Sequence, residues 1–539
     1  QSRAPWFPVT EVKTASQGKG ETFRLDSKLA SGYLPGSLEL KVSYSPLKGI
    51  DPQSLLDSLY RYPYGCTEQL TSSAWPLLYA DRLGGLTGDG AQRELRPRVQ
   101  KAIDKILARQ SPDGAFGLWR VNDRYATGWI GAYVTDFLMR AKANGYAVPD
   151  TAMEAALHSM QKMTSTDRWI SVSYTFTLEE GTRKAERTEQ LRRQAAAYAY
   201  YVLARAGKAD LSDLRYFHDS FLAKVPDPLS RMQIGAALAM MGDKARAANA
   251  FKLAEAAVNY NDTYDYYQSP LRDIAGMIAI AADLENRGAV DRLLDKLSTQ
   301  LRSADQLNTQ QKAFLLMASG KLIDQAGEMR ISVDGKGAEN LGRLPSFVID
   351  PDRLEGGISF ANAGEGTVYR SVTIYGVPTA APPAVANGFK LNKSFRTLAG
   401  KPVNLSTLEQ NDRVVVHLTG APTDYQNHAS IVVDMLPAGL EIEQVLSPQD
   451  AGSNGVYRWL GDLSRPKVAE ARDDRFVAAI DLKRYKNSSS RRGRLNLAYI
   501  ARVVTPGEFA VPGAVIEDMY RAGEFARTSQ QRMTIKAAQ

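Results

Sequence analysis

YPYGCTEQ, Tyr62 to Gln69, holds the only cysteine among 539 residues and sets a glutamine three positions after it. On a helical turn, side chains at i and i+3 are neighbours with Cβ atoms roughly 5–6 Å apart, so the Cys66 thiol can reach the Gln69 amide carbon. Attack there, with loss of ammonia, would give an internal thioester. Gln69 would then be a stored acyl donor and Cys66 its leaving group, and an arriving amine would form a stable amide. The competing reading of a lone cysteine is a small buried hydrophobe. Gly65 permits a tight turn before Cys66, and Tyr62, Pro63 and Tyr64 place apolar bulk beside it.

With those neighbours the string resembles the thioester signature of the alpha-2-macroglobulin and complement family, written GCGEQ in most animal members, and is most like the bacterial branch. Thr67 stands where animal members carry glycine, a departure that leaves both bond-forming residues in place.

Outward from the motif, Asp51-Pro52 offers an N-cap followed by proline at the first helical position. Leu55, Leu56 and Leu59 then recur at helical spacing, and the helical pattern runs to about residue 322. Leu70, Ala74, Leu77 and Leu78 continue an apolar face from Cys66, which predicts the thiol against the core. Pro76 removes the backbone bond to the Ser72 carbonyl, which predicts a bent first turn around Cys66. QSPDGAFGLW, Gln110 to Trp119, and WIGAYVTDFLMRA from Trp129 are similar to the glutamine-tryptophan repeat of alpha/alpha toroids. There Asp113-Gly114 reads as the turn, and Phe116 and Trp119 as core aromatics. QAAAYAYYVLARAG (Gln194 to Gly207), IGAALAMMGDKARAANAF and IAGMIAIAADL are rich in small residues that let backbones approach. They suit a closed toroid or an open solenoid, without a fixed 34-residue period. YQSPLRDIA (Tyr267 to Ala275) and LNTQQKAFLLMA (Leu307 to Ala318) resemble late helices of bacterial thioester domains and point to the toroid.

The period is that of strands on either side: FRLDSKLA and SLELKVSYS before, and MRISVDG, SFVID, GISFAN and TVYRSVTIYGV after Asp324. This predicts a sheet interrupted by helices. TAAPPAVANG, Thr379 to Gly388, reads as a linker. RVVVHLTG, SIVVDMLPAGLEIE, RFVAAIDL and RLNLAYIARVV alternate as in a sandwich, VPGAVIEDMYRAGEF follows the last long strand, and TSQQRMTIK closes the sheet. The resemblance implies a multidomain α and β fold. An alpha/alpha toroid, the thioester domain (49–322), is inserted in a CUB-like β domain (1–48 and 323–385) and followed by a C-terminal macroglobulin-type β-sandwich (386–539).

Composition is that of a globular chain of two to four domains, 23% charged and 44% hydrophobic, with no run of 18 apolar residues to span a bilayer. The start, QSRAPWFPVT, lacks a charged-then-apolar signal pattern. A single cysteine forbids an internal disulfide and fits cytosol and periplasm alike. The net charge of +8 and the Arg491, Arg492 and Arg494 cluster fit a solvated loop, because no nucleic-acid motif with interleaved aromatics accompanies them. His158, His218, His417 and His428 are scattered, so no metal or other cofactor is expected. A toroidal prenyltransferase would need a zinc set or a DDxxD site. Asp473-Asp474 falls among strands, and Asp262 and Asp265 lack that pattern. Two other readings of Cys66 stay open: a cysteine hydrolase or transpeptidase with His158 or His218 as base, and a structural or binding module whose CTEQ turn never cyclises.

A thioester persists only where water is excluded. The resemblance implies that Tyr62 and Tyr64, with Met519 and Tyr520 from the C-terminal domain, shield it. Hydroxyl-targeting complement members carry a histidine after the DG turn, but Gly114 to Val134 contains none. Asn122 and Tyr125 cannot form an acyl-imidazole, so the acceptor is read as an amine. The resemblance further implies a broad-spectrum protease trap rather than an enzyme, capturing proteases through their lysines. It implies a periplasmic protein anchored to the inner membrane by an N-terminal lipid outside these residues, working beside a penicillin-binding protein. The chain would be a fragment or processed product of a larger polypeptide whose bait region lies elsewhere.

Overall fold

A computed structural model of the chain describes residues 6–29, 31–60, 65–80, 89–123, 128–164, 182–258, 267–302, 306–323, 329–336, 344–483, 493–521 and 523–538. It divides into two bodies. One comprises residues 11–28 and 39–374, the other 1–10, 29–38 and 375–539.

Among the described residues the first body has these α-helices: α1 (Pro52–Tyr60), α2 (Thr67–Ala74), α3 (Asp89–Leu107), α4 (Gly128–Ala143), α5 (Asp150–Thr164), α6 (Thr182–Arg205), α7 (Leu211–Phe221), α8 (Pro228–Met240), α9 (Lys244–Ala256), α10 (Pro270–Asp283), α11 (Arg287–Arg302) and α12 (Thr309–Ile323). Helix starts follow local chemistry, since Asp210, Asp227, Asp243 and Ser269 each accept a backbone N–H of the first turn. The even-numbered helices pack in sequence and α12 returns to α2, which closes a ring. The odd-numbered helices lie against its outside. This settles toroid against solenoid.

Small residues permit the close approach. A Cβ at Gly276 of α10 would come within 2.8 Å of Leu229 and 2.9 Å of Phe314. The interior is filled by rings: Trp129 stacks on Tyr133 and Tyr267 at 5.1 and 5.2 Å, and Tyr133 stacks on Phe314 at 5.9 Å. Buried Arg272, paired with Asp273, lies 5.2 Å from the Trp129 ring centre. Among the described residues these stacked aromatics occupy the interior, which speaks against the prenyltransferase alternative. Asp262 and Asp265 lie outside the described residues.

Strands on both sides of the ring share sheets. With β1 (Val9–Gln17), β2 (Thr22–Leu25), β3 (Glu39–Ser45), β4 (Ile331–Val333), β5 (Ser346–Ile349), β6 (Ile358–Asn362) and β7 (Val368–Gly376), the orders are β1-β7-β3-β5 and β2-β6-β4. Leu40 opposes Ile349 and Phe23 opposes Phe360 in antiparallel register, so the helices interrupt one β structure.

In the second body, strands from β8 (Val385–Asn387) onward form a two-sheet sandwich, whereas the closing strand β20 (Gln531–Lys536) joins neither of its sheets and pairs instead with β10 (Leu408–Glu409) and β17 (Gly507–Val511) in a third, three-stranded sheet. One sheet has the order β13 (Leu440–Val445), β16 (Leu495–Val503), β11 (Arg413–Pro422), β9 (Phe389–Arg396). The other runs β14 (Val468–Ala471), β15 (Arg475–Lys483), β12 (Asn427–Met435), β18 (Val515–Asp518), β19 (Phe525–Arg527), β8. Their inner faces share a core around Val416, Val432, Phe476 and Tyr499. The predicted linker is only partly one, because its residues Val385–Asn387 pair with β19. Its proline and alanine content hides a three-residue edge strand. Arg491 and Arg492 lie outside the described residues.

The fold is therefore an alpha/alpha toroid set into a CUB-like β domain, together with a macroglobulin-type β-sandwich.

Candidate functional site

Cys66 is fully buried and is the N-cap of α2, with extended backbone (φ −66°, ψ 166°). Its Sγ accepts the Gln69 backbone N–H at 3.4 Å, while the Gln69 Oε1 accepts the Cys66 N–H at 3.3 Å. This is a capping box, with cysteine in the place of serine and glutamine at the third helical position. It brings the two side chains of the sequence motif together. The predicted bent first turn is replaced by a capped one. Pro76 acts later, where α2 passes into a single 3-10 turn, Pro76–Tyr79.

The expected apolar face of α2 is not what buries it. Thr67, Glu68, Gln69, Thr71 and Ser72 are all at 0% exposure, whereas Leu70 and Leu78 are only half-buried. An inner helix of a ring has neighbours on both sides, and here polar pairs fill them. The Glu68 carboxyl accepts from Ser72 Oγ (2.5 Å), Gln310 Nε2 (2.8 Å) and Thr309 Oγ1 (3.3 Å). Ser72 in turn meets the Tyr133 hydroxyl at 3.0 Å. Burial, and then the charge of Glu68, hold that phenol protonated far above its ordinary range.

Thr67 carries the contact between the two motifs. Its N–H donates to Leu118 O at 2.8 Å and its hydroxyl to Gly117 O at 2.6 Å, both carbonyls belonging to the QSPDGAFGLW loop. Arg109 clamps the same point, donating to Gly65 O at 2.7 Å, and to Leu118 O and Thr67 Oγ1 at 3.2 Å. The loop is pinned from beneath by Gly114 (φ +86°), where a Cβ would lie 1.9 Å from Ala155 O, a conformation and an approach that only glycine tolerates. Phe116 is core and Trp119 is half-buried. Asn122 sits at positive φ (54°); Tyr125 lies outside the described residues.

Sequence reasoning missed Arg109, Thr309 and Gln310. Arg109 directly precedes the loop motif and the other two lie in LNTQQ, yet nothing in spacing marked them as partners of residues 65–68.

Of the shielding residues, Tyr62 and Tyr64 lie outside the described residues. Met519 and Tyr520 follow β18 in the sandwich body and are buried. His158 is exposed on α5, and His218 on α7 meets Asp219 at 2.7 Å and Asn249 at 3.2 Å. Both are on outer helices, while Cys66 caps an inner one. Among the described residues no helix is long and apolar enough to cross a membrane.

The domain family described as the A-macroglobulin TED domain matches residues 43–195, and the bacterial alpha-2-macroglobulin MG10 domain matches residues 388–522. Among curated relatives, alpha-2-macroglobulin of Escherichia coli is 30% identical over 96% of this chain and 31% of its own length. That of Xylella fastidiosa is 29% identical over 92% and 30%. The chain thus spans about a third of the curated relatives it matches. The crystal structure of native E. coli alpha-2-macroglobulin from domain MG7 to the C-terminus superposes with a TM-score of 0.83 at 27% identity, covering 99% of this chain and 83% of that one. Salmonella alpha-2-macroglobulin reacted with methylamine gives 0.83 at 28%, over 98% and 34%. The chain belongs to the bacterial alpha-2-macroglobulin family, and what it spans is the C-terminal part of such a protein.

Proposed function

We propose that Cys66 and Gln69 form an internal thioester and that the protein is a broad-spectrum protease trap, not an enzyme, coupling the Gln69 acyl group to lysine amines of an attacking protease. One observation carries this reading: fully buried, each of the two side chains accepts the other residue's backbone N–H, which sets both on the same turn. Cyclisation forms the Sγ–Cδ bond and releases the amide nitrogen as ammonia. Aminolysis forms the amide and releases the Cys66 thiolate. In both steps negative charge develops on the Gln69 side-chain oxygen, and the Cys66 N–H already faces it.

Tyr62, Tyr64, Met519 and Tyr520 act in this proposal as the shield against water. The Salmonella relative is described as reacted with methylamine, which supports amine reactivity in the family. A larger polypeptide would supply the bait segment, and an N-terminal lipid would tether it to the inner membrane in the periplasm, beside a penicillin-binding protein. The hydrolase alternative would require a base beside the thiol, and the placement of His158 and His218 on outer helices speaks against it.

Intact mass before and after methylamine tests the proposal. The untreated protein is expected to be lighter than its sequence by one ammonia, and the treated one to carry one methylamine and a newly titratable thiol. A native sample of full sequence mass with Cys66 alkylatable on denaturation, made in a host where the relatives cyclise, would falsify it.

A further inference from the structure

His428, on β12 of the sandwich body, is fully buried between carboxylates from two directions. Its Nε2 lies 2.7 Å from Asp424 Oδ1, and its Nδ1 lies 3.0 Å from Asp518 Oδ2 and 3.2 Å from Glu524 Oε2. The Phe389 ring closes one side, edge-on at 4.8 Å. Arg521 is the nearby cation, donating to Gln426 Oε1 at 2.9 Å and lying 3.8 Å from Glu524. A neutral imidazole donates from one nitrogen only and would turn a lone pair toward a carboxylate. The geometry therefore calls for an imidazolium.

Asp518 links this histidine to the turn after β18. While Oδ2 faces His428, Oδ1 accepts the N–H groups of Tyr520 (2.9 Å) and Arg521 (3.0 Å), and the Asp518 N–H closes the turn on Glu524 O at 2.9 Å. Asp424, at the other nitrogen, also accepts the Gln426 N–H at 2.9 Å and so orders the loop before β12.

We propose that His428 is a positioning residue whose imidazolium ties the Asp518–Glu524 turn to the Asp424 loop and keeps Met519 and Tyr520 in place only while it is charged. Its bearing on the thioester rests on the shielding role proposed above for those two side chains. Asp424, His428 and Glu524 each offer a ligand atom within 4.8 Å of the others, a spacing that a metal ion could also use, and the exchange test below separates that reading from the imidazolium tie.

Burial alone would discharge the imidazole, but hydrogen bonds and charge from Asp518 and Asp424 outweigh it and raise its pKa. The carboxyl of Asp424 is correspondingly lowered, while burial raises that of Glu524. A group raised on folding stabilises fully below its unfolded pKa, and the effect is lost as pH rises through the folded value. The tie is therefore whole in mildly acidic solution and released on the alkaline side of the ordinary histidine range.

The test is hydrogen–deuterium exchange of peptides covering 515–525 in the full chain, with the intrinsic pH dependence of exchange divided out. The parent is compared with His428→Gln and, should that variant fold poorly, with the more exposed Asp424→Asn. At pH 6 the variants are expected to exchange about tenfold faster in this segment, as the loss of a hydrogen bond to a charged group implies. The gap should close by pH 9, with β16 unchanged. Equal exchange at pH 6, a gap that persists undiminished to pH 9, or zinc-dependent slowing reversed by EDTA would each overturn the proposal. Methylamine uptake measured alongside separates the two readings: exchange that follows pH while aminolysis does not keeps the tie and removes the shield.

Discussion

A cysteine followed three residues later by glutamine is first of all a helix cap, and in this chain the cap uses the side chains that the proposed thioester would join. The hydrogen bonds that begin α2 set the Cys66 sulfur and the Gln69 amide side by side. Serine supplies the same cap with a better acceptor. Cys66→Ser is therefore expected to leave the thermal midpoint within a few degrees of the parent while methylamine uptake disappears, read by calorimetry and intact mass. A collapse of the midpoint would show that the thioester, and not the cap, organises the turn. The pairing of Cys66 with Gln69 was legible in the sequence because their spacing matches one helical turn. Arg109 was not, since its partners are the carbonyls of Gly65 and Leu118, and carbonyls carry no sequence signal.

At the scale of elements, α2 shows where periodicity misleads. Its side chains were expected to divide into an apolar and an open face, but it meets α4 on one side and α12 on the other, so polar residues are buried as deeply as apolar ones. Glu68 makes that tolerable by accepting from Ser72, Thr309 and Gln310, partners up to 242 residues away that no local pattern reveals. Glu68→Ala removes an acceptor shared by three buried donors, of which Ser72 and Gln310 keep other partners, and is expected to cost about 3 kcal/mol. Glu68→Gln keeps one acceptor oxygen and is expected to cost about 1 kcal/mol. Chemical denaturation monitored on the helical signal checks both. If the two variants cost the same, the carboxyl is not the tie between α2 and α12.

At the scale of the whole chain, the switch of period from strand to helix and back was plain in the sequence, because each regime lasts for tens of residues. Ring closure was carried only by the resemblance of the late helices, because to periodicity alone solenoid and toroid use the same helices and differ only in whether the last meets the first. The junction between the ring and the sheet it interrupts is α1. There Lys41 on β3 donates to Gln53 Oε1 (2.8 Å) and Asp57 Oδ2 (2.9 Å), and Ser43 Oγ to Asp51 Oδ2 (2.8 Å). Asp51 also caps α1 through the Gln53 N–H at 3.1 Å. Loss of hydration at this junction raises the Asp51 carboxyl above its usual range, although hydrogen bonds from Ser43, Ser371 and the Ser54 amide work against it. The folded chain then holds a proton that the unfolded chain has released, so this residue's contribution to stability falls as pH climbs from the ordinary aspartate value through the raised one. An asparagine at this position would cap as well as aspartate and cannot ionise. Asp51→Asn should gain on the parent with rising pH across that window, by about 1.4 kcal/mol per unit by which the carboxyl is raised, and then run parallel to it. Unfolding free energies of the two proteins from pH 3.5 to 8 decide this: a difference that stays flat, or that moves toward the parent, would mean that the junction holds a charged aspartate at no cost.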